Sequence, residues 1–153
     1  MKILEKDLKK IIWESENKEL RERGFPIAWG AKRLQDLKIG NYGTADMIFS
    51  DRVDGNLNIS ILVFKEGKIG ISAFLEAIRL QKGINQFLNR RKGLQQKQVQ
   101  IYLLLIGSEI DTSGSFCYLP DIYYNIGVYL YSLDINGLSF NRSNGHKLNN
   151  EGF

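Results

Sequence analysis

Along residues 1–23 the apolar side chains Leu4, Leu8, Ile11 and Ile12 recur at three- and four-residue spacing among charged neighbours. That is the period of a helix with one buried stripe, and it predicts a single amphipathic helix ending near Gly24 and Pro26. Three extended segments are expected next, at about 31–39, 44–52 and 57–65. They are divided by the turn-forming runs Gly40-Asn41-Tyr42-Gly43 and Val53-Asp54-Gly55-Asn56, so they read as an antiparallel meander. After a turn at Gly67, Ser72 fits the N-cap of a long helix reaching about Asn89. Its apolar stripe would be Phe74, Leu75, Ile78, Ile84, Phe87 and Leu88, with Gly83 as a point where it weakens or bends. Residues 99–106 are β-branched or aliphatic on both alternating faces, as in a strand covered on both sides. Segments 128–133 and 138–141 flank Asp134-Ile135-Asn136-Gly137 and predict a hairpin, and 142–153 reads as a flexible tail.

The element order is helix, three strands, helix, strand and a small C-terminal β addition. An α/β fold with a mixed central sheet flanked by helices buries these faces most simply. At 153 residues the chain is the size of one domain, and 43% hydrophobic with 25% charged residues places it among ordinary globular chains. No apolar run approaches the roughly 20 residues that span a bilayer, and the first residues carry Lys and Glu, so no membrane partner is expected. Cys117 is the only cysteine, which excludes an internal disulfide and a Cys-rich metal site and suits an intracellular, cytoplasmic setting. His146 is the only histidine and sits in a Ser/Asn/Gly-rich stretch, so neither a Ser-His-Asp triad nor a multi-histidine zinc site is expected. Chemistry, if present, falls to carboxylates and lysine. The net charge of +4 permits a nucleic-acid partner without requiring one.

Asp46 sits mid-strand among Ala45, Met47 and Ile48, where a carboxylate is costly unless paired, hydrogen-bonded or bound to metal. On the following strand Ile59, Ile61, Val63 and Lys65 share one face, and Lys65 emerges at the strand end. Glu5 in Glu-Lys-Asp-Leu, Gln35 in Arg-Leu-Gln, the run Tyr42-Gly43-Thr44-Ala45-Asp46-Met47-Ile48, and Ile61-Leu62-Val63-Phe64-Lys65 before a helix together resemble the PD-(D/E)xK nuclease superfamily. The likeness is to its small DNA-nuclease branch, whose opening helix carries a Glu, and it covers roughly residues 5–106. It implies an αβββαβ core and activity as a metal-dependent DNA endonuclease in DNA processing. Asp46 would be the main metal-binding carboxylate, Lys65 the cation beside the attacking water, and Glu5 an outer carboxylate.

Two positions depart from the family pattern. Val63 stands where relatives carry Glu or Asp, and it cannot hold a metal. On the next helix, where relatives often show Gln, three residues and then Tyr, this chain has Glu76, Ala77, Ile78, Arg79 and Leu80. Some members of the superfamily take their second acid from that helix, so Glu76 with Asp46 could bind Mg²⁺, with Mn²⁺ as a substitute. Gln35, Arg79, Lys82, Arg90, Arg91 and Lys92 are the candidate contacts to nucleic acid, DNA in the family reading. Plainer roles exist for each: Asp46 also reads as a cap of the preceding turn or the partner of an Arg, Lys65 as a strand-end charge, and Glu76 as a solvated residue paired with Arg79. Two other classes stay open, a nuclease fold that has lost metal chemistry while still binding nucleic acid, and a protein-interaction or inhibitor module on the same scaffold. A homodimer or a protein partner also remains open.

Overall fold

A computed structural model describes residues 3–90 and 98–143. The opening stretch forms two helices, α1 (Glu5–Glu14) and α2 (Asn17–Glu22), where one was expected. The break is made by a residue distant in sequence. Arg33 donates Nη1 to the carbonyls of Ile12 and Trp13, at 2.7 and 2.9 Å, and Nη2 to the Asn17 side chain. Those carbonyls have no partner within α1, and a guanidinium fork satisfies both while fixing the turn that follows. Asn17 in turn donates its amide to the carbonyls of Ala28, Trp29 and Ala31, tying the loop back onto the helix pair.

The meander is β1 (Lys32–Lys38), β2 (Thr44–Val53) and β3 (Asn56–Phe64), with antiparallel pairing throughout. A single 3-10 turn, Gly40–Tyr42, joins β1 to β2. Asp54 and Gly55 both take positive φ, 52° and 81°, as a two-residue hairpin requires to match strand twist. β4 (Lys68–Ile69) leads into α3 (Ile71–Asn89), which crosses over to β5 (Val99–Gly107), parallel to β3. Then come β6 (Glu109–Ile110), the short α4 (Leu119–Ile122), β7 (Ile126–Asp134) and β8 (Gly137–Ser143). The six-stranded sheet has the order β1-β2-β3-β5-β7-β8, mixed as expected, and β4 pairs with β6 in a separate two-stranded piece. The expected hairpin is present as β7 and β8. Because β8 continues to Ser143, pairing Arg142 with Tyr129, the first two residues assigned to a tail belong to the sheet; residues 144–153 lie outside the described residues.

Two apolar cores sandwich the sheet. On one face Ala73, Ala77, Leu80 and Ile84 of α3 pack on Ile59, Ile61, Val63, Leu103 and Leu105. On the other, Leu8, Ile12 and Leu20 of α1 and α2 pack on Met47, Phe49, Leu62, Phe64, Leu104 and Ile106. β3 alternates as the sequence indicates. The buried side of α3 differs from the expected stripe: Leu75, Ile78 and Phe87 are exposed and small residues take their place. Small side chains let the helix axis approach the sheet, which outweighs the area a larger residue could bury. α3 begins from Gly70 rather than Ser72, directly out of β4, and runs unbroken through Gly83. Among the described residues no helix is long and apolar enough to cross a membrane.

Candidate active site

Asp46 stands where the alternation of β2 fails. Ala45 packs in the core beneath α3 and Met47 in the core beneath α1, although regular pleating would put these two residues on one face. The failure coincides with two gaps in the ladder. Pairing with β3 starts only at Met47 opposite Leu62, and β1 skips the position facing Asp46, where Asp36 takes φ 53°. Asp46 is thereby engaged from the α1 side: Lys9 Nζ lies 2.7 Å from its Oδ2, with both side chains about a quarter to a third exposed. The same ammonium stands 5.8 Å from the centre of the Phe64 ring.

Lys65 follows β3 directly, with its N–H donating to the carbonyl of Ile106 at 2.8 Å. Its side chain turns to the α3 layer, where Nζ meets Oε2 of Glu76 at 3.3 Å. Glu76 therefore faces inward to Lys65, and the structure does not pair it with Arg79. Val63, two residues before Lys65, is 2% exposed and belongs wholly to the α3-side core. Asp46 and Lys65 thus sit at the same end of adjacent strands while each is held by a lysine–carboxylate pair to a different helix. Among the described residues no group of three or more His, Cys, Asp or Glu side chains could hold a metal ion.

Glu5 opens α1, and its backbone N–H donates to Oε1 of Glu66 at 3.2 Å. Glu66 therefore caps the helix at its positive end, on the opposite side of the chain from Glu76, as alternation past Lys65 indicates. The Glu66 carbonyl also accepts from the Tyr131 hydroxyl, which in turn accepts the N–H of Ile3. Gln35 lies exposed on the edge strand β1, opposite Met47 and one residue before the irregular Asp36. Arg79 is exposed on α3 with its guanidinium close over Gly43, where Nη2 would stand 3.3 Å from a Cβ. Lys82 and Arg90 are exposed on and at the end of the same helix. Arg91 and Lys92 lie outside the described residues.

The residue that sequence reasoning missed is Lys9. A strand carboxylate among apolar neighbours demands a partner, and the flanking helix offers Lys6, Lys9 and Lys10, but periodicity alone does not choose among them. No family model, curated protein or solved structure matches this chain.

Proposed function

We propose that this chain is a PD-(D/E)xK-type protein that hydrolyses phosphodiester bonds in DNA with a divalent metal, with Asp46 and Glu76 as the acids and Lys65 as the cation beside them. The observation that carries this reading is the 3.3 Å contact between Lys65 and Glu76. It brings a carboxylate from α3 to the lysine whose usual acidic companion has become Val63. The element order from α1 through β5, with β5 parallel to β3, supports the reading. Carboxylate oxygens are the donors that Mg²⁺ or Mn²⁺ takes, but Asp46 is paired with Lys9 on the α1 side and Glu76 with Lys65 on the α3 side, so a shared ion requires both pairs to open. When bound, the ion supplies an activated water and a counter-charge for phosphate. Lys65 holds an ammonium where negative charge grows during hydrolysis, Arg79 offers a phosphate contact over Gly43, and Glu5 stays at the margin.

A second reading is favoured by a specific contact. Lys9 already neutralises Asp46 at 2.7 Å, so the two lysines could serve as permanent substitutes for the cation in a nuclease fold that retains nucleic-acid binding alone. Supercoiled plasmid with Mg²⁺ or Mn²⁺ separates the two. Cleavage by the wild type, abolished in Asp46→Ala and in Glu76→Ala and slowed on the order of a hundredfold in Lys65→Ala, supports the enzyme. Cleavage that survives both acid substitutions, or none by the wild type, overturns it.

A further inference from the structure

The sheet face that carries α1 and α2 changes character along its strands. On β3 Phe64 and Leu62 give way to Ser60 and Asn58, on β5 Ile106 and Leu104 give way to Tyr102 and Gln100, and on β2 Phe49 gives way to Asp51. The two helices pack on the apolar part. On the polar part lies a hollow of about 270 Å³, walled by residues 26–28 and by Tyr124 and Asn125. A second hollow of about 270 Å³ adjoins it, sharing Tyr124 and Asn125 and lined besides by Gln100 and by Gln81 and Asn85 of α3. Both lie at the far end of the strands from the candidate active site: Asp51 stands five residues along β2 from Asp46, or about 17 Å.

Their lining differs from an ordinary solvated strand. The edge strand β1 is of the ordinary kind, with Lys32, Arg33, Asp36 and Lys38 among its seven residues. Across both hollows the only charged lining residues are Asp51 and Arg142, on β2 and β8. Four strand spacings separate them, about 19 Å. The other polar groups are amides and hydroxyls. Among the described residues the side chains of Asp51, Asn58 and Ser60 have no hydrogen-bond or ion-pair partner, although each is partly buried. The Tyr102 hydroxyl donates to Gln100 Oε1 at 3.0 Å and keeps its lone pairs for another donor. Amides and hydroxyls both donate and accept, so they match a ligand whose own groups do both.

We propose that the two hollows bind a neutral oligosaccharide, one sugar ring in each, with the Tyr124 side chain between them. Tyr124 is 82% exposed and borders both hollows, so it offers an apolar surface to the C–H faces of two successive rings. The amides and hydroxyls around it meet the sugar hydroxyls. Each hollow lies just under the volume usual for drug-sized ligands, which suits one ring. A nucleic-acid strand would need cations along its phosphates, and Arg142, offset by Asp51, does not supply them. A peptide adding as a strand would need free backbone groups, and β3, β5 and β7 are interior strands already paired on both sides.

The test is titration of the isotope-labelled protein with maltotriose, cellotriose and triacetylchitotriose, and with their monosaccharides, followed by amide NMR spectra. At least one trisaccharide should shift, saturably, the amides of residues lining the two hollows. It should bind about tenfold or more tightly than its monosaccharide, because the second ring arrives already linked. Tyr124→Ala should weaken that trisaccharide about tenfold, and Tyr124→Phe should retain it. Asn58→Ala should weaken it about two- to tenfold. The affinity should not change with salt, since no charge is paired on binding. Circular dichroism melting verifies that each variant folds. No saturable shift with any of the three, shifts away from the hollows, or a Tyr124→Ala variant that binds like the wild type overturns the proposal. A single-stranded oligonucleotide that shifts the same amides at lower concentration than any sugar overturns it in favour of nucleic acid.

Discussion

Restoring an acid at position 63 is the most informative single change, because the fold makes a quantitative demand on it. Val63 is 2% exposed in the core beneath α3. A carboxylate there loses nearly all its water, and fully buried acids have pKa values raised by about 3–5 units. At about 1.36 kcal/mol per unit, the ionised form costs about 4–7 kcal/mol, against a total stability of about 5–15 kcal/mol. Val63→Gln introduces the same bulk without the charge and should cost about 1–3 kcal/mol through overpacking, beyond any unmet hydrogen bond. The difference between the two variants isolates the charge. The sign of the pH dependence follows from the raised folded-state pKa: the acid variant keeps its stability below the unfolded carboxyl range and loses it as pH rises toward the folded value. Thermal melts of both variants and the wild type in EDTA, from pH 5 to pH 8, should therefore diverge with rising pH. Adding Mn²⁺ at pH 8 should restore the acid variant by ligand linkage if a cation reaches that point. An acid variant as stable as the wild type at pH 8 in EDTA would refute the dry setting of position 63. Plasmid cleavage by Val63→Glu with none by the wild type would decide for the lapsed nuclease.

Two further substitutions probe the frame around the site. Lys9→Met keeps an apolar stem near Phe64 while removing the ammonium from Asp46; urea denaturation should show a loss of about 1 kcal/mol that shrinks at high salt. No change would mean that the pair contributes nothing to folding. Gly83→Ala should destabilise by about 1–3 kcal/mol despite a helix-propensity gain of about 1 kcal/mol, because the new methyl meets Ile39 and Tyr42. A stabilised variant in the same assay would show that the turn can move aside.

The parts of the fold that were legible in the sequence are those written in local periodicity. The strands of the meander, the Asp54-Gly55 turn, β5 and the final hairpin each follow from alternation bounded by turn residues. The helix break at Ser15 was not legible because its cause, Arg33, lies on a strand 18 positions further on. β4 and β6 are two residues each, too short to carry a period. On α3 the large apolar residues suggested one buried face, and close packing against the sheet selected Ala73, Ala77 and Leu80 instead. For the candidate site, the sequence placed Asp46 and Lys65 at one end of neighbouring strands. It gave no means of seeing that Asp46 leaves the regular pleat or that Lys9 would meet it, since both depend on how α1 lies across β2 and β3.

The left-handed backbone of Asp36 also bears on how this molecule meets its own copies. β1 is an edge strand, and an uninterrupted edge is a template onto which another chain can add a strand. Lys32 and Lys38 flank this edge with charge, and at Asp36 the strand turns out of the extended form that a continuing ladder needs. A second molecule docking along β1 would have to straighten Asp36 while meeting lysines at both ends. Among the described residues that edge of the sheet is thereby blunted against growth, and β8 forms its opposite margin.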